Sequence, residues 1–485
     1  MACNEKKDSK ISAGVKSAIV YTIANVITRG LAIITVPIFT RIMTTAQIGQ
    51  VNLYNSWYGM ISVIATLSLT SGGFSVAMKE FEHERDQYLS SILTLTTSIA
   101  LGISLVYFIN PDFWNNITGL PTVLMILILV GLVVAPATDF WFARQRYEYR
   151  YKLSGVISVS SAIVAAVISV MAVIHTDQAD KTAEVRLVSN YIVVYGVALC
   201  IWIYIFLKGK KFVDLRYWKY SLALSIPLIG YSIASQVLST ADRIMIGKMV
   251  SESAVGVYGT IYSVSSIFTM VWTAINASFV PYLYQNIDNK ENKSVREVSF
   301  TLIGAYALVA IFLVLIAPEI VKILATEEYY EAIYIMPPIA AGVFLTAVSN
   351  MYSNVLLYLK SSKYIMYASA VAAAMNVLLN YVFIKLYGYM AAAYTTMVCY
   401  MIMTVLLAFW ANNKFSKKGD SLGRVYYNKR ILLLCIFVTA ILLSGMLLYH
   451  FSILRYLIAG LFLIAAAYVG KIYMKKVKHK SMTDN

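Results

Sequence analysis

Long apolar runs recur along the whole chain, separated by short polar segments rich in Lys and Arg. Fourteen of them reach the ~20 residues that a helix needs to cross about 30 Å of hydrocarbon. They lie at roughly 15–38, 51–71, 88–109, 120–142, 153–174, 187–207, 220–246, 254–276, 298–317, 332–358, 364–385, 389–411, 430–449 and 453–473. The runs are continuous rather than alternating and about twice the length of a barrel strand, so helices are predicted instead of strands. The expected fold class is all-α, a polytopic membrane protein of about fourteen transmembrane helices. The connections are too short to hold a soluble catalytic domain.

Composition agrees with that pattern. The chain is 59% hydrophobic and 13% charged, about half the charge of an ordinary soluble domain. Forty Lys and Arg against 24 Asp and Glu give a net charge of +16. On a soluble chain that excess would suggest nucleic acid. In a membrane protein it sorts by side, and cytoplasmic loops collect the cations. With both termini placed in the cytoplasm, 31 Lys and Arg fall inside, 8 fall outside, and Arg29 is left within a helix. No nucleic-acid partner is expected. Cys3, Cys200, Cys399 and Cys435 are scattered, so neither a disulfide framework nor a metal site is predicted. The polar first ten residues do not resemble a signal peptide.

No P-loop, G-x-S-x-G or H-E-x-x-H pattern occurs, and the four histidines are isolated. Neither enzymatic activity, a catalytic residue nor a firmly assigned metal is expected. The chemical signal is instead an ionisable residue at membrane depth, which is costly and therefore a functional candidate. Arg29 lies mid-way along the first run, with Lys16 and Arg41 at its ends. Two readings apply: a structural pair with a buried acid, or a cation lining a cavity.

Polar residues share a face with it. Ser17, Tyr21, Asn25 and Thr28 recur at helical spacing on helix 1. Asn55, Gly59, Ser62, Thr66 and Thr70 do so on helix 2. Ser221, Ser225, Ser232, Gln236, Ser239 and Asp242 mark helix 7, and Tyr258, Tyr262, Ser265, Thr269, Thr273 and Asn276 mark helix 8. One such stripe is ordinary interhelical bonding. Stripes on helices 1, 2, 7 and 8 predict a polar cavity lined by Arg29, Asn25, Tyr21, Asn55, Gln236, Tyr262 and Asn276.

The segments joining helices 1–2 and 7–8 also share a pattern, with two identical positions in seventeen. RIMTTAQIGQVNLYNSW (41–57) and KMVSESAVGVYGTIYSV (248–264) both begin on a cation and place a glycine eight residues later. Gly49 and Gly256 are 207 residues apart (256 − 49), a spacing of six helices. Parallel repeats with the path between them are a common transporter plan. The expected organisation is 1–214 as an N-lobe of helices 1–6 and 215–413 as a C-lobe of helices 7–12. Residues 414–485 would form helices 13–14 and a basic tail.

SIPLIGYSIASQVLSTADRIMIGKMVSESAVGVYGTIYSV (225–264), NVLLNYVFIKLYGYMAAAYTTMVCY (376–400) and the 41–57 segment resemble signatures of the bacterial polysaccharide-biosynthesis flippases. These are the O-antigen-type flippases of the multidrug/oligosaccharidyl-lipid/polysaccharide superfamily, and the resemblance covers almost the whole chain. It implies a two-lobed protein of the cell membrane that moves an undecaprenyl-diphosphate-linked oligosaccharide from the inner to the outer leaflet by alternating access. It also implies membrane lipids, a polysaccharide polymerase and glycosyltransferases as partners. A fixed cation suits a diphosphate, and the basic 144–152 loop would face its entry. A peptidoglycan-precursor flippase and a multidrug exporter of the same superfamily are the alternatives. A glycosyltransferase or glycan polymerase would need a larger outer loop. Relatives also place a sodium site on helices 7, 11 and 12. Asn376 and Asn380 share a face, and Asn380 and Thr395 lie at similar distances from Gly388. Asp242 lies ~9 Å below the outer end of helix 7 at 1.5 Å per residue. With Asn376, Asn380 and Thr395 it is the candidate group for coupling to Na⁺ or H⁺.

Overall fold

The computed structural model describes residues 2–70, 73–416 and 425–462. Among the described residues every regular element is helical. Their packing divides the chain into two compact units, Met1–Gly256 and Val257–Asn485.

The first unit contains α1 (Ala2–Ile42), α2 (Thr45–Thr66), α3 (Gly73–Glu80), α4 (Arg85–Ile109), α5 (Pro111–Thr118), α6 (Thr122–Tyr147), α7 (Tyr151–Ile174), α8 (Thr182–Gly209) and α9 (Leu215–Met249). It also takes the first residues of α10 (Glu252–Asp288). The second holds the rest of α10, then α11 (Asn292–Leu315), α12 (Ala317–Leu324), α13 (Met336–Tyr358), α14 (Lys363–Tyr387), α15 (Ala391–Ser416), α16 (Asn428–Ser444) and α17 (Ser452–Phe462). Thirteen of the fourteen runs coincide with these helices, and the fourteenth begins as α17 and continues outside the described residues. Eleven described helices are long and apolar enough to cross a membrane, or twelve when bent α9 counts as one. This is a multi-pass membrane protein.

Local sequence sets the helix ends. Thr44 and Gln47 form a reciprocal capping box at the start of α2, with bonds of 3.3 and 3.0 Å. Asn110 caps α5, accepting from the Phe113 amide at 3.1 Å, and Pro111 occupies the first turn. α9 bends by 52° between Ile226 and Leu228, where the sequence has proline. Helix 2 was expected over 51–71. It ends instead at Thr66, because Leu67 and Ser68 adopt left-handed backbone (φ 49° and 52°).

The two units repeat one packing scheme. In the first, α6 packs on α4 and α8, and α7 packs on α8. In the second, α13 packs on α11 and α15, and α14 packs on α15. An eight-residue helix with proline in its first turn follows α4 in the first set and α11 in the second, at α5 and α12. The counterpart of broken α2–α3 is α10, which runs without interruption.

The division between the compact units falls after Gly256, which leaves α9 in the same unit as α2. The reason is the packing of α9 on α2. Gly59 of α2 lets the Gln236 side-chain amide approach the backbone, and Gly247 of α9 receives Leu53. The next corner is tighter. A Cβ on Gly49 would lie 1.8 Å from the Glu252 carbonyl oxygen, and one on Gly256 would lie 1.9 Å from that of Thr45. Thr45 and Ser253 join their hydroxyls at 2.6 Å. The contact is reciprocal, residue for residue, between the 41–57 and 248–264 segments. Only glycine permits such close backbone approach.

Candidate functional site

Arg29 stands on the exposed side of α1, thirteen residues before Ile42 (42 − 29). That is about 20 Å below the helix end at 1.5 Å per residue. Among the described residues it makes no ion pair, hydrogen bond or ring contact. The paired-acid reading therefore has no partner to support it. Asn25, one turn earlier, is also exposed. Thr28 returns its hydroxyl to the Ala24 carbonyl at 3.0 Å. Tyr21 turns elsewhere: its hydroxyl meets Ser154 of α7 at 2.7 Å, which ties α1 to α7.

Asn55 of α2 is exposed and accepts a hydrogen bond from Tyr191 of α8 at 3.2 Å. Tyr191 belongs to a cluster that the sequence reading missed. Tyr54 and Tyr58 lie one turn apart on α2, as do Tyr191 and Tyr195 on α8. Ring centroids are 5.2 Å apart for Tyr54–Tyr191 and 4.8 Å for Tyr191–Tyr195. The Tyr54 and Tyr195 hydroxyls meet at 3.1 Å. Asp139 of α6 is exposed and lies among charged and phenolic neighbours, Arg146 and Tyr58. The paired i, i+4 tyrosines and an acid within an apolar run were both legible signals. The depth rule applied to Arg29 applies equally to Asp139.

The second unit treats its polar residues differently. Asn276 of α10 accepts from the Asn354 amide at 2.8 Å, and Tyr262 is half-buried. Asn376 donates to Thr396 at 3.0 Å, Asn380 donates to Asn376 at 3.1 Å, and Thr395 donates to Asn380. All four are buried. Asn376, Asn380 and Thr395 thus share one hydrogen-bonded cluster, in which the Asn376 and Asn380 side-chain oxygens each accept one bond. Asp242 lies in the first unit, fully buried, and accepts the Arg243 amide at 2.8 Å. Among the described residues no group of three or more His, Cys, Asp or Glu is placed to hold a metal.

Charged groups collect at the Lys- and Arg-rich end of the first unit. Arg144 pairs with Asp86 and with Glu148, the latter at 2.8 Å, and Arg85 reaches Glu148 at 3.6 Å. Tyr217 and Arg216 both donate to Glu84. The Tyr217 bond, assisted by Arg216, holds the Glu84 carboxyl below the usual carboxylate range. Lys211 does the same for Asp214. In the second unit, burial pushes the Glu319 carboxyl up. Hydrogen bonds from Tyr456 and Arg455 outweigh that and bring it below its ordinary value.

Comparison with known proteins follows from this geometry. The polysaccharide biosynthesis protein family matches residues 15–287, and the MatE family matches residues 227–382. The probable low-salt glycan biosynthesis flippase Agl15 of Haloferax volcanii is 24% identical over 412 residues, covering 83% of this chain and 84% of its own. Among solved structures, the lipid II flippase MurJ in an inward closed conformation superposes with a TM-score of 0.68 at 13% identity. The match covers 95% of this chain and 100% of that one. An inward-facing multidrug resistance MATE family transporter of the MOP superfamily gives 0.59 at 14% identity, covering 84% and 100%. The structural likenesses establish the fold, and the family match spans more than half of the residues. This chain belongs to the polysaccharide biosynthesis protein family of membrane proteins.

Proposed function

We propose that this protein is a flippase for a lipid-linked oligosaccharide, carried on undecaprenyl diphosphate or a close relative, and works by alternating access. The observation that carries the reading is Arg29, an exposed guanidinium at mid-span with no partner among the described residues. A diphosphate entering hydrocarbon loses its water, and a planar fork of N–H donors replaces that shell bidentately. Asn25 and Asn55 lie on exposed faces in the same unit and suit glycan hydroxyls. The similarity to a glycan biosynthesis flippase supports the same substrate class. The net inward bias of Lys and Arg supports both termini in the cytoplasm, and transfer would run from the inner to the outer leaflet of the cell membrane. Glycosyltransferases would supply the substrate and a polymerase would consume it.

The test is reconstitution in vesicles with a fluorescent polyprenyl-diphosphate glycan, scoring its arrival in the opposite leaflet. Parallel vesicles carry a peptidoglycan lipid precursor or a cationic drug. Transfer of the glycan-lipid alone supports the proposal. Transfer of only the precursor or only the drug replaces it with that reading. An imposed Na⁺ or proton gradient tests coupling in the same vesicles.

A further inference from the structure

A groove of about 590 Å³ opens in the first unit among α6, α7 and α8, lined by Trp141, Arg150, Lys152, Leu153, Cys200 and Tyr204. Arg150 and Lys152 come from the basic 144–152 loop, and the other four have no part in the site described above. Helix α6 stops just before it. The Arg150 amide donates to the Gln145 carbonyl at 2.8 Å, closing a Schellman-type end with Tyr149 in left-handed backbone (φ 57°). Glycine ordinarily fills that position, because a bulky residue is strained there. The strained turn places an exposed tyrosine and two cations together at the groove.

The lining has two characters. Arg150 is exposed and only loosely paired, 3.3 Å from Glu148. Lys152 is exposed and has no charged or hydrogen-bonded partner among the described residues. Leu153, Val156 and Tyr204 then carry an exposed apolar surface along α7 and α8. A cationic mouth above an apolar wall complements an anionic headgroup with a hydrocarbon tail. A glycan would need many donors and acceptors. The wall offers one amide, at Gln145, and a few phenols.

We propose that this groove is a binding site for an anionic phospholipid of the surrounding leaflet, its phosphate held by Arg150 and Lys152 and its chain lying on α7 and α8. The proposal is independent of the transport reading.

Cys200 reports occupancy, because it is exposed in the groove while Cys399 and Cys435 are buried. The full chain carrying Cys3→Ser is placed in nanodiscs of zwitterionic lipid, with or without phosphatidylglycerol, and Cys200 is labelled with a membrane-permeant maleimide. Phosphatidylglycerol should slow labelling. In Arg150→Gln/Lys152→Gln, the same protection should need roughly thirtyfold more phosphatidylglycerol, from about 1 kcal/mol of lipid attraction per cation. Tyr149→Gly suits the left-handed backbone, keeps the fold, and should also weaken protection. It decides the matter if the double variant melts early. Equal protection by zwitterionic lipid, by soluble glycerol phosphate or only by an added glycolipid would overturn the proposal. So would undiminished protection in Tyr149→Gly or in a double variant that melts like wild type.

Discussion

Arg29, Asn25 and Asp139 of the first unit reach its accessible surface from the middle of their helices. Asn276, Asn376 and Asn380 of the second are joined to Asn354, Thr396 and Thr395 by side-chain hydrogen bonds. The units share a packing scheme, so this difference lies in side chains laid on a common frame. Exposed groups without partners are available to a ligand. Groups that satisfy one another stabilise the bundle, and their loss leaves buried donors unmet. The same residue type therefore does different work in the two units. Substrate contacts should concentrate in the first and folding energy in the second.

The sharpest test of that division is Arg29→Ala. Transport should fall by about a hundredfold or more, the loss expected when one member of a desolvated charge pair is removed. Thermal stability should not change, since no described residue depends on Arg29. Arg29→Lys should retain part of the transport, keeping charge but losing the fork. A melting point lowered as far as transport would erase the distinction.

Gly49→Val probes the corner instead. The branched side chain would collide with the Glu252 carbonyl, and overpacking of this kind costs about 3 kcal/mol. Reduced yield and an early melt are expected in detergent. Asn380→Ala should cost somewhat less, about 2 kcal/mol, by leaving the buried Asn376 side-chain oxygen without its donor. Its surviving folded fraction should still transport. If Asn380→Ala melts normally but abolishes transport, the second unit also holds a functional polar site.

Acidification should give the smallest effect. The carboxyls of Glu84 and Asp214 in the first unit and Glu319 in the second all lie below their ordinary range when folded. Each contributes stability that is fully present above the unfolded carboxylate pKa and is lost as pH falls through the lower folded value. Melting temperatures should hold from pH 7 to about 5 and decline below about 4. Glu319→Gln should flatten that decline more than Glu84→Gln. Arg455, which donates to Glu319 at 2.8 Å, is nearly inaccessible to water.

The spans were the most legible part of the sequence, because each is a continuous apolar run and water cannot rescue an unpaired backbone in lipid. Their interruptions were harder to read. Eight-residue α5 and α12 are too short to cross the membrane and carry their own polar face, so no length rule marked them. The break at Leu67 depends on two residues in an uncommon backbone conformation, which composition does not announce. Asn55 and Arg29 were singled out by helical spacing and depth, which are local properties, and both side chains are exposed. Tyr21 followed the same spacing yet bonds Ser154, since a helix face is wide and tertiary packing selects which part of it meets a neighbour. Asn376, Asn380 and Thr395 lie in one hydrogen-bonded cluster, and the bonds within it depend on rotamers that helical spacing does not specify.

The glycine corner also sets a clock for biogenesis. Gly49 meets Glu252 and Gly256 meets Thr45, so the first contact surface is made long before its complement. The ribosome must add 207 more residues (256 − 49), about 10–40 s of synthesis at 5–20 residues per second. Throughout that interval α1 and α2 sit in the bilayer with the Thr45 carbonyl not yet covered by its mate. The capping box at Thr44 and Gln47 joins residues only three apart, and it holds the waiting end of α2 in helical form until the 248–264 segment arrives.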